Sequence, residues 1–519
     1  MELENRVRLL ATVVISLALS QCVSVSSAFA QGRASTRAEA LVRSAIEKMG
    51  GDEKLRSLNS IQIEGIGHTY AIEQSERPEG PWIVTYDQVT EARDYKNQRL
   101  RRTTQNRSFQ GAQWTTGATL IVADNVAARL VSARMFAGAP TDRAEAEERL
   151  ALSPERVLLT ALEATDLHLE RDSSLQGSTQ HVVAFTWQNA PVRVYLSIST
   201  AMPTAIEFTR AYPDSFFWGV WGEVKTRTCV SLWTLEPGGI RYPRQWDVER
   251  NGTTYQSFTV TSMTLNPQLD AESFSIPAEV KKAFESAGPR LINDVPLGLP
   301  NRPLVEIVPG VVQIPGSWNV TLVRQPDGIV VIEAPISSGY SDKVIAEARK
   351  RFPSLPIKAV ISTSDAWPHI GGVREYVARS VPVFVLDLNQ PILERLVLSS
   401  RHSNPDALDR GPRKKPIFKI VSGKTIVGSG PNRLELYPIR TETGERMIMV
   451  YFPEHALLYG SDLLQPSGPA SFFMPEYLSE LAEAVRREKL IVNKVIAMHL
   501  RIRPWADIEA AVTKAIGAH

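Results

Sequence analysis

The hydrophobic pattern changes its period along the chain. Residues 37–58, "RAEALVRSAIEKMGGDEKLRSL", carry apolar positions at helical spacing, and Gly50-Gly51 ends that helix. From about 60 to 275 the pattern alternates instead. "IQIEGIGHTYAI", "HVVAFTW", "VRVYLSI" and "TAIEFTR" each place β-branched or aromatic residues at every second position. "RNGT" at 250–253 is a hairpin signal. The pattern predicts an antiparallel, strongly curved, half-barrel-like sheet with a leading helix and a helical insert near 142–166.

"SAGPRLINDVPLGLPNRP" at 286–303 is Pro- and Gly-rich with little periodicity, which reads as a linker. Beyond it, strand-like and helix-like runs alternate. "LVEIVPGVVQIPG", "NVTLVRQ" and "GIVVIEAP" precede the helical "YSDKVIAEARKRF". Strand "IKAVIST", helix "GGVREYVA", strand "VPVFVLD" and helix "PILERLVLSS" follow, the grammar of a layered α/β domain. The fold class is therefore α+β and multidomain, with a β-rich unit over 36–285, a linker over 286–303 and a second domain over 304–519.

The first 30 residues stand apart. Arg6 and Arg8 precede an apolar stretch that ends in "AFA" at 28–30, the shape of a secretory signal peptide cleaved after Ala30. This predicts a periplasmic protein with no transmembrane span after cleavage. Gln21 before Cys22 speaks against a lipid anchor, and without Cys22 only Cys229 remains, so no internal disulfide forms. Cys229 reads as a buried core residue. The formal net charge of +2 gives no bulk case for nucleic acid. "RGPRKKP" at 410–416 reads as a solvated loop, and "SFFWGVW" at 215–221 as core packing, with contact to a lipid or partner as the sharper alternative.

The loop "ISTSDAWPHIGG", 361–372, carries the candidate chemistry. With the strands before it, it resembles the metal loop of the metallo-β-lactamase-fold hydrolases, a likeness that runs from about 304 to 517. The resemblance implies a C-terminal αββα sandwich and a loop of the form Thr-His-x-His-x-Asp-His, usually followed by Ile-Gly-Gly. It also implies a mid-domain histidine, a bridging aspartate in a Gly-x-Asp turn, a late histidine and two zinc ions. Thr363 and "HIGG" fix the register. The degenerate ligand positions are then Ser364 and Ala366 for the two loop histidines, Pro368 for the loop aspartate, and Thr443 for the mid-domain histidine. His369, Asp462 and His499 are retained, three of the four donors of one metal site. Two imidazoles and a carboxylate make a three-ligand set for zinc with an open water position, or for ferrous iron. One zinc, one iron or no metal are the readings left open.

Catalysis is the weaker expectation, because Pro368 removes a carboxylate that serves as ligand and proton acceptor. Asp365 is one position off and points elsewhere, and Glu442 and Glu445 flank the vacant histidine position. His402 is a substrate-contact candidate in an inserted loop. His68, His168, His181, His455 and His519 follow no ligand spacing, and no nucleophile-elbow, phosphate-loop or dinucleotide glycine pattern is present. Two functions remain. One is a secreted metallo-β-lactamase-fold protein with a degenerate centre, either non-catalytic or a single-metal hydrolase of unknown substrate. The other is a periplasmic binding or carrier protein that uses the curved sheet for an apolar ligand, small molecule or protein partner.

Overall fold

The computed structural model describes residues 35–72, 84–108, 117–288, 291–412, 414–440, 446–468, 471–472 and 475–517. The expected signal peptide at 1–30, Cys22, Thr443, Glu442 and Glu445 lie outside them.

A 14-stranded antiparallel sheet takes its strands from residues 60–265. Strand Ser60–Tyr70 pairs with the last strand, Thr253–Leu265, in the middle of the sheet, and the two arms run outward from that pair. The hairpin before Thr253 turns through Asn251 and Gly252, both at positive φ, as the "NG" signal predicts. One face is covered by the helix at 35–49 and by helices Pro140–Ala151 and Val157–Glu163. Ala38, Val42, Ala45, Ile46 and Met49 recur at helical spacing and pack on Val183, Phe185, Val192, Val194, Ile206 and Phe208, which alternate along three strands. Cys229 is half-buried rather than fully in the core. Its strand, Glu223–Leu235, turns that side chain to the face opposite the helices, beside Leu175 and Tyr195.

The covered face holds a cavity of about 110 Å³, lined by charged groups, Arg93, Glu145, Glu148, Arg149 and Arg250, and by apolar ones, Leu152, Ile206, Phe208, Trp246 and Val248.

The second half is built from two facing sheets with helices outside them. Seven strands, from Val305–Val308 to Phe418–Val421, form one sheet. Six, from Thr425–Val427 to Arg503–Pro504, form the other. Every residue of strand Gly328–Ile332 is buried. Val330 and Ile332 enter the core between the sheets, and Ile329 and Val331 the outer layer, so a continuous apolar run is what this position demands. Helix Ser338–Arg351 covers the first sheet through Tyr340, Val344, Ile345 and Ala348. Helices Pro475–Arg487 and Trp505–Gly517 cover the second. The arrangement is an αββα sandwich.

The halves share one core. Trp218, Val220 and Trp221 are buried in the same cluster as Trp367, Ile370 and Val373. The Trp218–Trp221 part of the "SFFWGVW" segment therefore packs against the second domain, while Phe216 stays exposed. The 286–303 stretch is likewise no free tether. Ile292 N donates to Pro213 O at 2.8 Å, and Ser337 Oγ donates to Ile292 O at 2.9 Å, so this segment ties the two halves together. Gly222, at φ +73°, marks a close approach of the halves, because a Cβ there would meet Ser400 O at 2.3 Å. Gly222→Ala is expected to cost roughly 2 kcal/mol or more, read as a fall in Tm. Gly177→Ala serves as the control: it also has positive φ but no atom within 4 Å, and its loss should be smaller.

Candidate metal centre

Three strand ends meet at the site. Strand Ile357–Ile361 runs into residues 362–366 and then the short helix Trp367–Ile370, which carries His369. Pro368 stands in that helix's first turn, where a missing N–H costs nothing, and its carbonyl accepts from Ile336 N at 2.7 Å. Strand Leu457–Tyr459 ends at Gly460, and Asp462 follows in a single 3-10 turn. Strand Lys494–Ile496 runs parallel to it, so His499 leaves on the same side. The late turn is pinned by Asn319, whose N donates to Met498 O at 2.7 Å and whose Nδ2 donates to Ala497 O at 3.2 Å.

These elements bring His369, Asp462 and His499 together, with one donor atom of each within 4.8 Å of the others. His499 Nε2 lies 3.0 Å from Asp462 Oδ1, and His369 Nε2 lies 3.6 Å from Asp462 Oδ2. Around a tetrahedral zinc with bonds of ~2.0–2.1 Å, donors stand about 3.3 Å apart. Burial pushes the His369 imidazolium down to about 4, against the pull of Asp462 and helped by His499. His369 is therefore neutral near pH 7, as a metal ligand must be. Its Nδ1 is buried and makes no hydrogen bond among the described residues. The donor set fits one divalent ion.

The positions of the other site are filled differently. Ser364 Oγ accepts from Ala366 N at 3.1 Å in a local turn, and Ser364 and Ala366 are both buried. Asp365 is buried as well, and its Oδ1 accepts from Arg446 N at 3.2 Å, away from the three-residue cluster. His402 is exposed, on a loop that clasps the first half of the chain rather than with the three donors. Ser400 Oγ and Ser403 N and Oγ on either side of it donate to Glu223.

Two features escape a ligand search by sequence. Glu333 ends the apolar strand at φ +82° and is fully buried. Its Oε1 accepts from Thr363 Oγ1 and, at 3.1 Å, from Tyr459 OH. Thr363 Oγ1 in turn meets Ser461 Oγ at 2.6 Å, next to Asp462. Burial, with a smaller contribution from Asp462, pushes the Glu333 carboxyl up to about 8. An acid closing an all-apolar strand was the available signal. The second feature is an aromatic rim. Trp318 stands 6.3 Å from His499, ring centre to ring centre, and Phe216 from the first half stands 5.3 Å from Trp318.

No family model matches the chain, and no curated protein matches it. Among solved structures, the sec-alkylsulfatase Pisa1 from Pseudomonas sp. is 15% identical, with 43% of this chain and 41% of that chain covered and a TM-score of 0.31. The metallo-β-lactamase FIM-1 from Pseudomonas aeruginosa, in its mono-zinc form, is 17% identical over 44% of this chain and 97% of that one, with a TM-score of 0.32. A metallo-β-lactamase from Erythrobacter litoralis is 13% identical over 41% and 96%, at 0.31. The match thus spans under half the length of the alkylsulfatase. At these scores the likenesses carry nothing about activity.

The Glu333 pKa sets a pH dependence. Its folded-state value, about 8, lies above the ordinary 4.5, so the native state holds the proton between them. The contribution of this group is full below about pH 4.5 and is lost as pH rises through about 8. Glu333→Gln is expected to flatten that decline and to be the more stable protein at about pH 9. Urea midpoints of both proteins at about pH 5 and about pH 9 check this. Two facing sheets with helices on both outer faces give the second half of the chain the αββα sandwich that the metallo-β-lactamase resemblance implies, with three donors gathered at adjoining strand ends.

Proposed function

We propose that the C-terminal domain holds one divalent ion, zinc or ferrous iron, on His369, Asp462 and His499. The protein is then at most a single-metal hydrolase, and otherwise a non-catalytic relative of that fold. The observation that carries this is the donor spacing in the three-residue cluster, set against packed Ser364 and Ala366 at the other site. When bound, such an ion lowers the pKa of its water toward about 7. Asp462 reaches both imidazoles and fixes their approach, and His499, 17% exposed, gives the centre its opening to solvent. His369 stays neutral and uncharged at that opening's base. Among the described residues no further carboxylate joins the cluster. Glu333 is tied to Thr363 and Tyr459, so among the described residues no general base stands at the cluster, and slow hydrolysis is the most the proposal assigns to it.

The leader at 1–30 supports export to the periplasm, and among the described residues no helix is long and apolar enough to cross a membrane. The runner-up is an apolar carrier; the helices over one face of the sheet and the burial of Trp218, Val220 and Trp221 speak against it.

Metal analysis of the purified full chain tests the proposal. About one zinc or iron per chain is expected after exposure to the metal and dialysis, and much less in His499→Ala. Pro368→Asp, which restores a fourth donor, should tighten the metal by roughly tenfold or more. A wild-type chain that retains no ion from a saturating solution would sink the metal centre and the hydrolase together.

A further inference from the structure

We propose that the first half of the chain supplies part of the substrate pocket of the metal centre, through Phe216. The centre then takes a small molecule with an aromatic group beside its metal-binding atom. The inference rests on the metal centre proposed above. In the segment 215–221, Trp218, Val220 and Trp221 are buried, whereas Phe216 is 36% exposed. Phe217 beside it packs on the core that the halves share. The Phe216 ring centre lies 5.3 Å from that of Trp318, and Trp318 lies 6.3 Å from the ring of His499. His499 is the donor through which the centre opens to solvent. The three rings therefore form one run, from a metal-ligating imidazole to a side chain of the other half.

Both aromatic side chains stand on tied backbone. Trp318 lies in the loop 315–319, between strands Val311–Ile314 and Val320–Gln325. Asn319, the next residue, donates from N to Met498 O at 2.7 Å and from Nδ2 to Ala497 O at 3.2 Å. Its Oδ1 accepts from Gly316 N at 3.1 Å. The Trp318 loop and the His499 turn are thus joined. Trp318 itself is half-buried and packs on the cores at both faces of the first sheet. Phe216 is set by a tight turn, in which Ser215 N donates to Tyr212 O at 3.0 Å and Ser215 Oγ accepts from Trp218 N at 3.1 Å. Held in this way, the two rings lose little freedom when a ligand arrives. A lone exposed aromatic needs no explanation. Two that converge from separate halves beside an open metal donor do. The rings meet at 56° and 62°, tilted rather than stacked, so their mutual contact does not cover their faces. A wall of this kind selects by apolar area. It separates an aromatic substrate from a short aliphatic one, and does not sort one aromatic from another.

The full chain is exposed to zinc and dialysed, and its metal content is measured. Calorimetry then follows phenylmethanethiol and, separately, ethanethiol, whose thiolates both ligate zinc. Phenylmethanethiol is expected to bind roughly 10-fold tighter or more. Phe216→Ser should lower that preference roughly 3- to 10-fold, and Trp318→Ser likewise. A merely structural loss would weaken both thiols alike. Since Trp318 also packs on two cores, the exposed Phe216 carries the test if Trp318→Ser does not fold. The proposal is overturned if zinc-loaded Phe216→Ser keeps the preference of the wild type. A chain that retains no zinc sinks the metal reading, and the aromatic wall is then read alone, by saturation-transfer NMR with benzyl alcohol. A signal that falls in Phe216→Ser supports the wall, and an equal signal in both proteins overturns it.

Discussion

Trp367 stands edge-on between Trp218 and Trp221, and most of what is distinctive in this molecule follows from that contact. Trp367 belongs to the loop that carries His369, whereas its two neighbours belong to the first half of the chain. Burying three indoles together removes several hundred square ångströms of apolar surface from water, on the order of 150–250 Å² for each ring. The packing also fixes ring orientations, because edge-to-face contacts are directional. The metal loop is thus braced from outside its own domain. Gly371 shows how close the brace lies, since a Cβ there would meet Val220 Cγ1 at 2.8 Å and Ile336 O at 2.4 Å.

The same constraint bears on the loop positions at which the resemblance implies metal ligands. A loop of charged or metal-dependent side chains relies on the ion to hold its shape. Here those positions are occupied by groups that satisfy themselves. Ser364 closes a local turn, Ala366 is apolar, and Pro368 enters the first turn of a helix that needs no amide there. Thr363 links Glu333 to Ser461 through hydroxyl contacts, so the strand ends near Asp462 are joined without metal. The cost is a buried acid at an unfavourable φ, which burial holds mostly protonated at neutral pH against the pull of its hydroxyl donors.

Much of the fold was legible because its periods were clean. The five buried residues of Gly328–Ile332, the alternation of Val192 and Val194, and the Asn251-Gly252 turn each leave a local signature in the sequence. The three-residue cluster was legible through register, Thr363 and "HIGG" fixing which histidine is which. The segment at 215–221 was not, because an apolar run reads alike whether it packs in its own domain, on a partner or across a domain boundary. The 286–303 stretch misled in the opposite sense. Its Pro and Gly content reads as a tether, yet backbone groups at Ile292 bond to both halves. His402 had the composition of a functional residue, but its loop serves to hold Glu223.

The sequence by itself determined the two-part organisation, the alternation that builds each sheet, and which residues stand at the ligand positions the resemblance implies. Those are properties of local period and residue type. Only the tertiary structure decided which groups meet. It placed His369, Asp462 and His499 within reach of one ion, turned Asp365 toward Arg446, covered the curved sheet with its own helices, and set Phe216 beside Trp318. Each of these depends on contacts between residues tens to hundreds of positions apart. Such contacts are chosen by packing and by the satisfaction of buried polar groups, and neither leaves a local trace in the chain.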